Sequence, residues 1–60
     1  MLMVRIRKFE GSFRIYIVNE DNNEYIIDNV EFVSKDLAEK YCGNNEFRIV
    51  DEKYNPMKIL

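Results

Sequence analysis

Hydrophobic and polar residues alternate along the first third of the chain, with the period of two that is typical of a half-buried β-strand. Between residues 2 and 9, Val4 and Ile6 alternate with charged residues, and the same alternation returns between residues 13 and 18. Residues 10–12 separate the two runs and include a glycine, which can adopt the positive φ of a tight turn. The pattern therefore predicts a β-hairpin.

Two further runs predict the rest of a sheet. The polar residues 19–23 are expected to form a turn, because Asn and Asp tolerate the left-handed backbone region. A short third strand is predicted at residues 24–27, and Asp28-Asn29 ends it. Renewed alternation at residues 46–50 predicts the fourth strand.

A short helix is predicted between the third and fourth strands. Ser34 suits the N-cap because its hydroxyl can accept a free N–H of the first turn, and Gly43 suits the position just past the C-terminus. The element order β-β-β-α-β indicates an α+β fold, a mainly antiparallel sheet with one short helix packed on one face. The apolar stripe of that helix consists of Leu37, Ala38, Tyr41 and Cys42.

The inward positions of these elements are expected to form one hydrophobic core. In the hairpin they are the apolar residues on one side of the alternation, and in the helix they are the larger members of the stripe. The predicted buried residues are Val4, Ile6, Phe13, Ile15, Ile17, Ile26, Leu37, Tyr41, Phe47 and Ile49.

The length of the chain indicates a single domain, residues 1–60, that ends in an apolar C-terminal tail at residues 57–60. A domain of this size buries only about 60% of the surface that its unfolded chain exposes. One cysteine excludes an internal disulfide, and one cysteine without histidine excludes a structural zinc site. Either a homodimer or a tail docked on its own sheet would supply the missing apolar area.

The chain lacks the side chains that most catalytic sites require. It has no histidine, and Cys42 has no imidazole to activate it, so we expect a protein that is not an enzyme. The oxygens of residues 19–24 do not follow the spacing of an EF-hand loop, since Tyr25 and Ile26 stand where a ligand and a glycine belong. No glycine-rich phosphate loop is present. We therefore expect no cofactor, no metal site and no catalytic residue.

Charge is distributed unevenly along the chain, although the net charge is only −2. The first hairpin is basic, whereas the stretch from Ile15 to Ser34 contains no Lys or Arg and is acidic. Such segregation determines what a surface attracts. The leading interpretation is a small protein-binding regulator or inhibitor, whose binding residues are Glu20, Asp21, Glu24, Asp28 and Glu31.

The basic hairpin supports an alternative. If one face of the hairpin is buried, the basic and aromatic residues share the opposite face. Arginines contact phosphates and a tyrosine can stack on a base, which is how a sheet face binds single-stranded nucleic acid. A solvated sheet face would show the same residues. The nucleic-acid-binding set would be Arg5, Arg7, Arg14 and Tyr16.

The composition also suggests where such a protein works. The apolar run at the N-terminus is short and charge follows at once, unlike a signal peptide. No run approaches the roughly 20 apolar residues of a membrane helix, so no membrane partner is expected. The expected location is the cytoplasm, that of the host cell if the protein is viral. A composition rich in Asn, Ile, Glu and Lys is typical of AT-rich codons, the one hint of a viral or mobile-element origin.

Overall fold

The first two strands form the predicted hairpin. In the computed structural model, which describes residues 1–27 and 30–58, β1 spans Met3–Phe9 and β2 spans Ser12–Val18. Glu10 and Gly11 join them with φ of 50° and 84°, the backbone of a two-residue turn whose twist matches that of the flanking strands.

The sheet has four strands in the order β3-β2-β1-β4. Strand β3, Glu24–Ile26, is antiparallel to β2, and strand β4, Arg48–Ile49, is parallel to β1. Helix α1, Lys35–Asn44, carries the chain from one edge of the sheet to the other, and a 3₁₀ turn lies at Pro56–Lys58. The predicted α+β fold with one helix on the sheet is therefore confirmed, and the sheet is mixed.

Helix α1 begins where the sequence predicts and ends later. The N–H of Leu37 donates to the hydroxyl of Ser34 at 3.3 Å, which confirms the N-cap. Gly43 is inside the helix, so its placement past the C-terminus was wrong. Instead Glu46 has φ of 59°, and Phe47 N–H donates to the carbonyl of Cys42 at 2.8 Å. The N–H of Glu46 also donates to the carbonyl of Gly43 at 3.2 Å. The two bonds form a Schellman motif, which places Phe47 against the helix.

The core lies between the helix and one face of the sheet, which we call the core face. Its fully buried members are Val4, Ile15, Ala38 and Cys42. Ala38 and Cys42 are small and lie one helical turn apart, so the helix approaches the sheet closely. Seven apolar residues pack around this group: Ile6, Phe13, Ile17, Ile27, Phe32, Tyr41 and Phe47.

Three residues of the predicted core are more than 40% exposed. Leu37 is 47% exposed, because it lies about 100° around the helix from Ala38 and therefore beside the buried face. Ile26 pairs with Tyr16, which places it on the opposite side of the sheet, the outer face. Ile49 is on the core side, but β4 is an edge strand of two residues, so nothing covers it fully.

Candidate functional site

The register of the hairpin brings the basic and aromatic residues together on the outer face. Arg5 is paired with Tyr16, and Arg7 is paired with Arg14. Their neighbours in sequence, Val4 and Ile6, point to the core face instead, as the period of a strand requires. The outer face therefore carries the residues of the nucleic-acid alternative.

Arg5 is buried on this face, with only 5% of its side chain exposed. Its Nη1 donates to Glu24 Oε2 at 3.0 Å, and its Nη2 donates to Asn22 Oδ1 at 3.3 Å. The same guanidinium also binds two backbone carbonyls, that of Tyr54 at 2.6 Å and that of Asp51 at 3.1 Å. A buried charge is stable only when it is paired and hydrogen-bonded, and Arg5 meets both conditions.

Arg7 and Arg14 are also engaged inside the molecule. Arg7 binds Glu24 with two parallel bonds, Nε to Oε1 and Nη2 to Oε2, both 2.6 Å long. Its Nη1 lies 2.8 Å from Glu52 Oε1. Arg14 Nη2 donates to Glu31 Oε1 at 2.7 Å. Arg5, Arg7 and Arg14 are therefore each paired with a carboxylate of the same chain.

The electrostatic centre of the arrangement is Glu24. Its carboxylate accepts from Arg7 and Arg5, and these bonds hold the pKa of Glu24 below its usual value of 4.5, against the opposing effect of partial burial. The bonds from Glu24 and Glu52 in turn raise the pKa of Arg7. Both shifts favour the charged forms of Glu24 and Arg7.

The acidic residues predicted to bind a partner fall into three groups. Glu24 and Glu31 belong to the ion pairs of the outer face. Glu20 and Asp21 are exposed at the tip of the turn between β2 and β3. Asp28 lies outside the described residues. The two surfaces predicted separately, one basic and one acidic, thus meet on one face and compensate each other.

The turn at residues 19–23, which we call the acidic turn, is fixed by its own hydrogen bonds. Asn19 Oδ1 accepts from the N–H of Asp21 at 3.0 Å and from that of Asn23 at 2.9 Å. Asn22 adopts φ of 62°, and its side chain reaches Arg5. The carboxylates of Glu20 and Asp21 therefore project from a hydrogen-bonded turn.

A groove opens beside the acidic turn, and we call it the end groove. Its volume is about 360 Å³. The chain after β4 forms one wall of this groove through Tyr54 and through Pro56, the first residue of the 3₁₀ turn. Leu2 and Val18 are among its apolar lining residues. Glu20 is part of the lining as well, so a carboxylate stands at the edge of an apolar surface.

The cysteine is placed as a structural residue. Cys42 is completely buried in the core, and desolvation together with the nearby Glu39 raises the pKa of its thiol. A buried thiol with a raised pKa is a poor nucleophile. In the described part of the chain, no group of three or more His, Cys, Asp or Glu residues is arranged to hold a metal ion. The described helices include none that is long and apolar enough to cross a membrane.

Sequence reasoning missed the residues that complete the cluster. Asn22 and Glu52, together with the carbonyls of Asp51 and Tyr54, bind the arginines from segments distant in sequence. Glu24 is the acidic residue of the cluster that lies in a predicted strand. A third strand beside β2 brings it near the face that carries Arg5 and Arg7. Comparison with protein-family models, with curated proteins and with solved structures finds no match to this chain.

Proposed function

We propose that this chain is a non-enzymatic interaction protein, a regulator or inhibitor that binds another protein through its acidic turn. The supporting observation is the unequal use of charge. Arg5, Arg7 and Arg14 are neutralised within the molecule, whereas Glu20 and Asp21 are exposed and take part in no ion pair with the described residues.

The ion pairs reduce the set of binding residues that the sequence suggested. Glu24 and Glu31 are committed to Arg5, Arg7 and Arg14, so removing their charge would disturb the fold before it disturbed a partner. Glu20 and Asp21 are free of that role. Their charge is therefore available for recognition.

The hydrogen bonds within the acidic turn support the same function. A loop that is already ordered loses little conformational entropy on binding. Exposed carboxylates attract a basic surface over several ångströms, and such charges mainly determine the rate of encounter and the choice of partner. A partner with a cluster of Lys or Arg residues fits this description.

The test begins with the chain purified in its full length. Light scattering first gives its mass, which is 7.3 kDa for a monomer and twice that for a homodimer. The oligomeric state matters because a homodimer would carry two acidic turns. Proteins captured from the source organism are then identified, and the best candidate is purified. Its Kd is measured for the original chain and for the double variant Glu20→Gln/Asp21→Asn.

We expect the double variant to bind at least about tenfold more weakly, and the affinity of the original chain to fall as salt rises. The matched control is Glu39→Gln/Glu46→Gln, which neutralises two exposed carboxylates away from the turn and leaves the affinity unchanged. Equal binding by the double variant and the original chain would refute the acidic turn as the binding site.

A further inference from the structure

The end groove is an apolar depression that borders the acidic turn. Met3 and Val18 are among its lining residues, with Val18 only 6% exposed, and Leu2, which also lines it, is 42% exposed. The groove has room for a side chain, since its volume is several times the roughly 30 Å³ that a water molecule occupies in the liquid.

The wall of the groove is held in place by the buried arginine. The carbonyl of Tyr54 accepts from Arg5 at 2.6 Å, and the N–H of Tyr54 donates to Asp51 Oδ1 at 3.1 Å. Asn55 then begins the 3₁₀ turn, because its side-chain oxygen accepts from the N–H of Met57 at 3.0 Å. The groove is therefore preformed, which lowers the ordering cost of filling it.

The lining chemistry restricts what can fill the groove. An apolar side chain would be desolvated against Leu2, Val18 and Pro56. Glu20 is the charged side chain among the described lining residues, and Asp21 follows it on the turn. Glu20 would repel a phosphate or a carboxylate placed beside it. A Lys or Arg beside the apolar residue could lay its methylene stem on the rim and place its charge near Glu20.

We infer that the end groove binds an apolar side chain of a partner protein, from a segment in which a Lys or Arg lies within two residues of it. The inference rests on the proposed function and adds the anchor that the acidic turn alone lacks. Glu20 and Asp21 would then raise the rate of encounter and select the partner, and the groove would provide the buried contact that slows dissociation of the complex.

Three short synthetic peptides serve as probes: acetyl-Gly-Lys-Leu-Lys-Gly-amide, the same peptide with Ser in place of Leu, and the same peptide with Glu in place of both Lys. Each is titrated into the ¹⁵N-labelled full chain, and amide chemical shifts are followed. We expect the Lys-Leu-Lys peptide to shift the amides of Leu2, Val18, Glu20 and Tyr54. Both other peptides should bind at least about fivefold more weakly.

The variant Leu2→Ser removes apolar lining at a partly exposed position and should abolish those shifts. Its matched control is Leu37→Ser, which changes a residue of similar exposure, 47% against 42%, on the helix. Pro56→Ser is a second groove variant, and the amide spectrum without peptide verifies that each variant is folded.

Several outcomes would overturn the inference. One is that the Ser peptide binds as tightly as the Lys-Leu-Lys peptide, and another is that the Lys-Leu-Lys peptide does not bind at all. The inference also fails if the amide shifts are undiminished in both Leu2→Ser and Pro56→Ser, or if they are confined to residues outside the groove. Concentration-dependent shifts of groove residues without peptide would identify a second copy as the occupant. With a purified partner, unchanged affinity of Leu2→Ser together with weakened Glu20→Gln/Asp21→Asn would refute the groove and leave the proposed function standing.

Discussion

Arg5 and Glu24 form an ion pair on the outer face of the sheet, with Arg5 Nη1 3.0 Å from Glu24 Oε2. The two residues belong to different strands, β1 and β3, which are separated in the sheet by β2. Arg5 also binds the carbonyls of Asp51 and Tyr54. One side chain therefore links the hairpin, the third strand and the C-terminal segment.

Arg5→Ala should destabilise the protein by about 3–5 kcal/mol, because it removes a buried, paired charge, leaves the carbonyls of Asp51 and Tyr54 without this donor and takes a partner from Glu24. A domain of this length has a total stability of the same order, so the variant should be largely unfolded. Urea unfolding followed by circular dichroism measures the change. Arg14→Ala is the control: its ion pair is more exposed and should contribute about 1 kcal/mol or less. Equal losses would show that Arg5 has no special role.

Stability should fall when the pH drops below the usual pKa of Glu24, which is 4.5. The pKa of Glu24 is lowered in the folded state by Arg7 and Arg5, so its contribution is complete above 4.5 and is lost as the pH falls through the folded-state value. The free energy of unfolding is measured from pH 7 to pH 2. Glu24→Gln should be less stable at pH 7 and show a flatter profile, whereas the exposed Glu20→Gln should follow the original curve.

Ile15→Ala should cost about 2–5 kcal/mol, because Ile15 is completely buried in the core. Leu37→Ala should cost much less, about 1 kcal/mol or below, because nearly half of Leu37 is exposed. Thermal melting of both variants measures the difference. A larger loss for Leu37→Ala would mean that Leu37 packs into the core, as the sequence suggested.

Gly43→Ala should stabilise the protein by about 0.5–1 kcal/mol. Gly43 is within the helix, alanine is the better helix former, and a Cβ added there meets no atom within 4 Å. Gly11→Ala is the opposite case, since φ of 84° strains any other residue, and it should destabilise. Denaturant midpoints of the two variants test this pair, and a loss of stability in Gly43→Ala would contradict the helix end that the structure assigns.

A titration with mixed-sequence single-stranded DNA tests the alternative function. Because Arg5, Arg7 and Arg14 are each paired with a carboxylate, we expect no saturable binding at about 0.1 M salt, detected by tyrosine fluorescence. Tight binding that weakens steeply with salt, and that Arg7→Ala reduces, would instead support a nucleic-acid-binding sheet face.

The hairpin, the third strand and the N-terminus of the helix were predictable because local pattern determines them. Alternation defines the two faces of β1 and β2, a glycine marks their turn, and Ser34 caps the helix. The end of the helix was not predictable from Gly43. A Schellman motif with Glu46 at positive φ extends it, and the contact between the rings of Phe47 and Tyr41, 6.2 Å between centroids, accompanies that motif.

The sequence by itself determined which residues carry charge and which strand faces they occupy, since the period of two assigns Arg5, Arg7 and Arg14 to one side. Only the tertiary structure decided whether those charges are paired with carboxylates. Glu24, Glu31 and Glu52 approach the arginines from other strands and loops, and the carbonyls of Asp51 and Tyr54 enclose Arg5. Such pairing depends on register and chain path, which local pattern does not contain, because an ion pair acts only over a few ångströms in space.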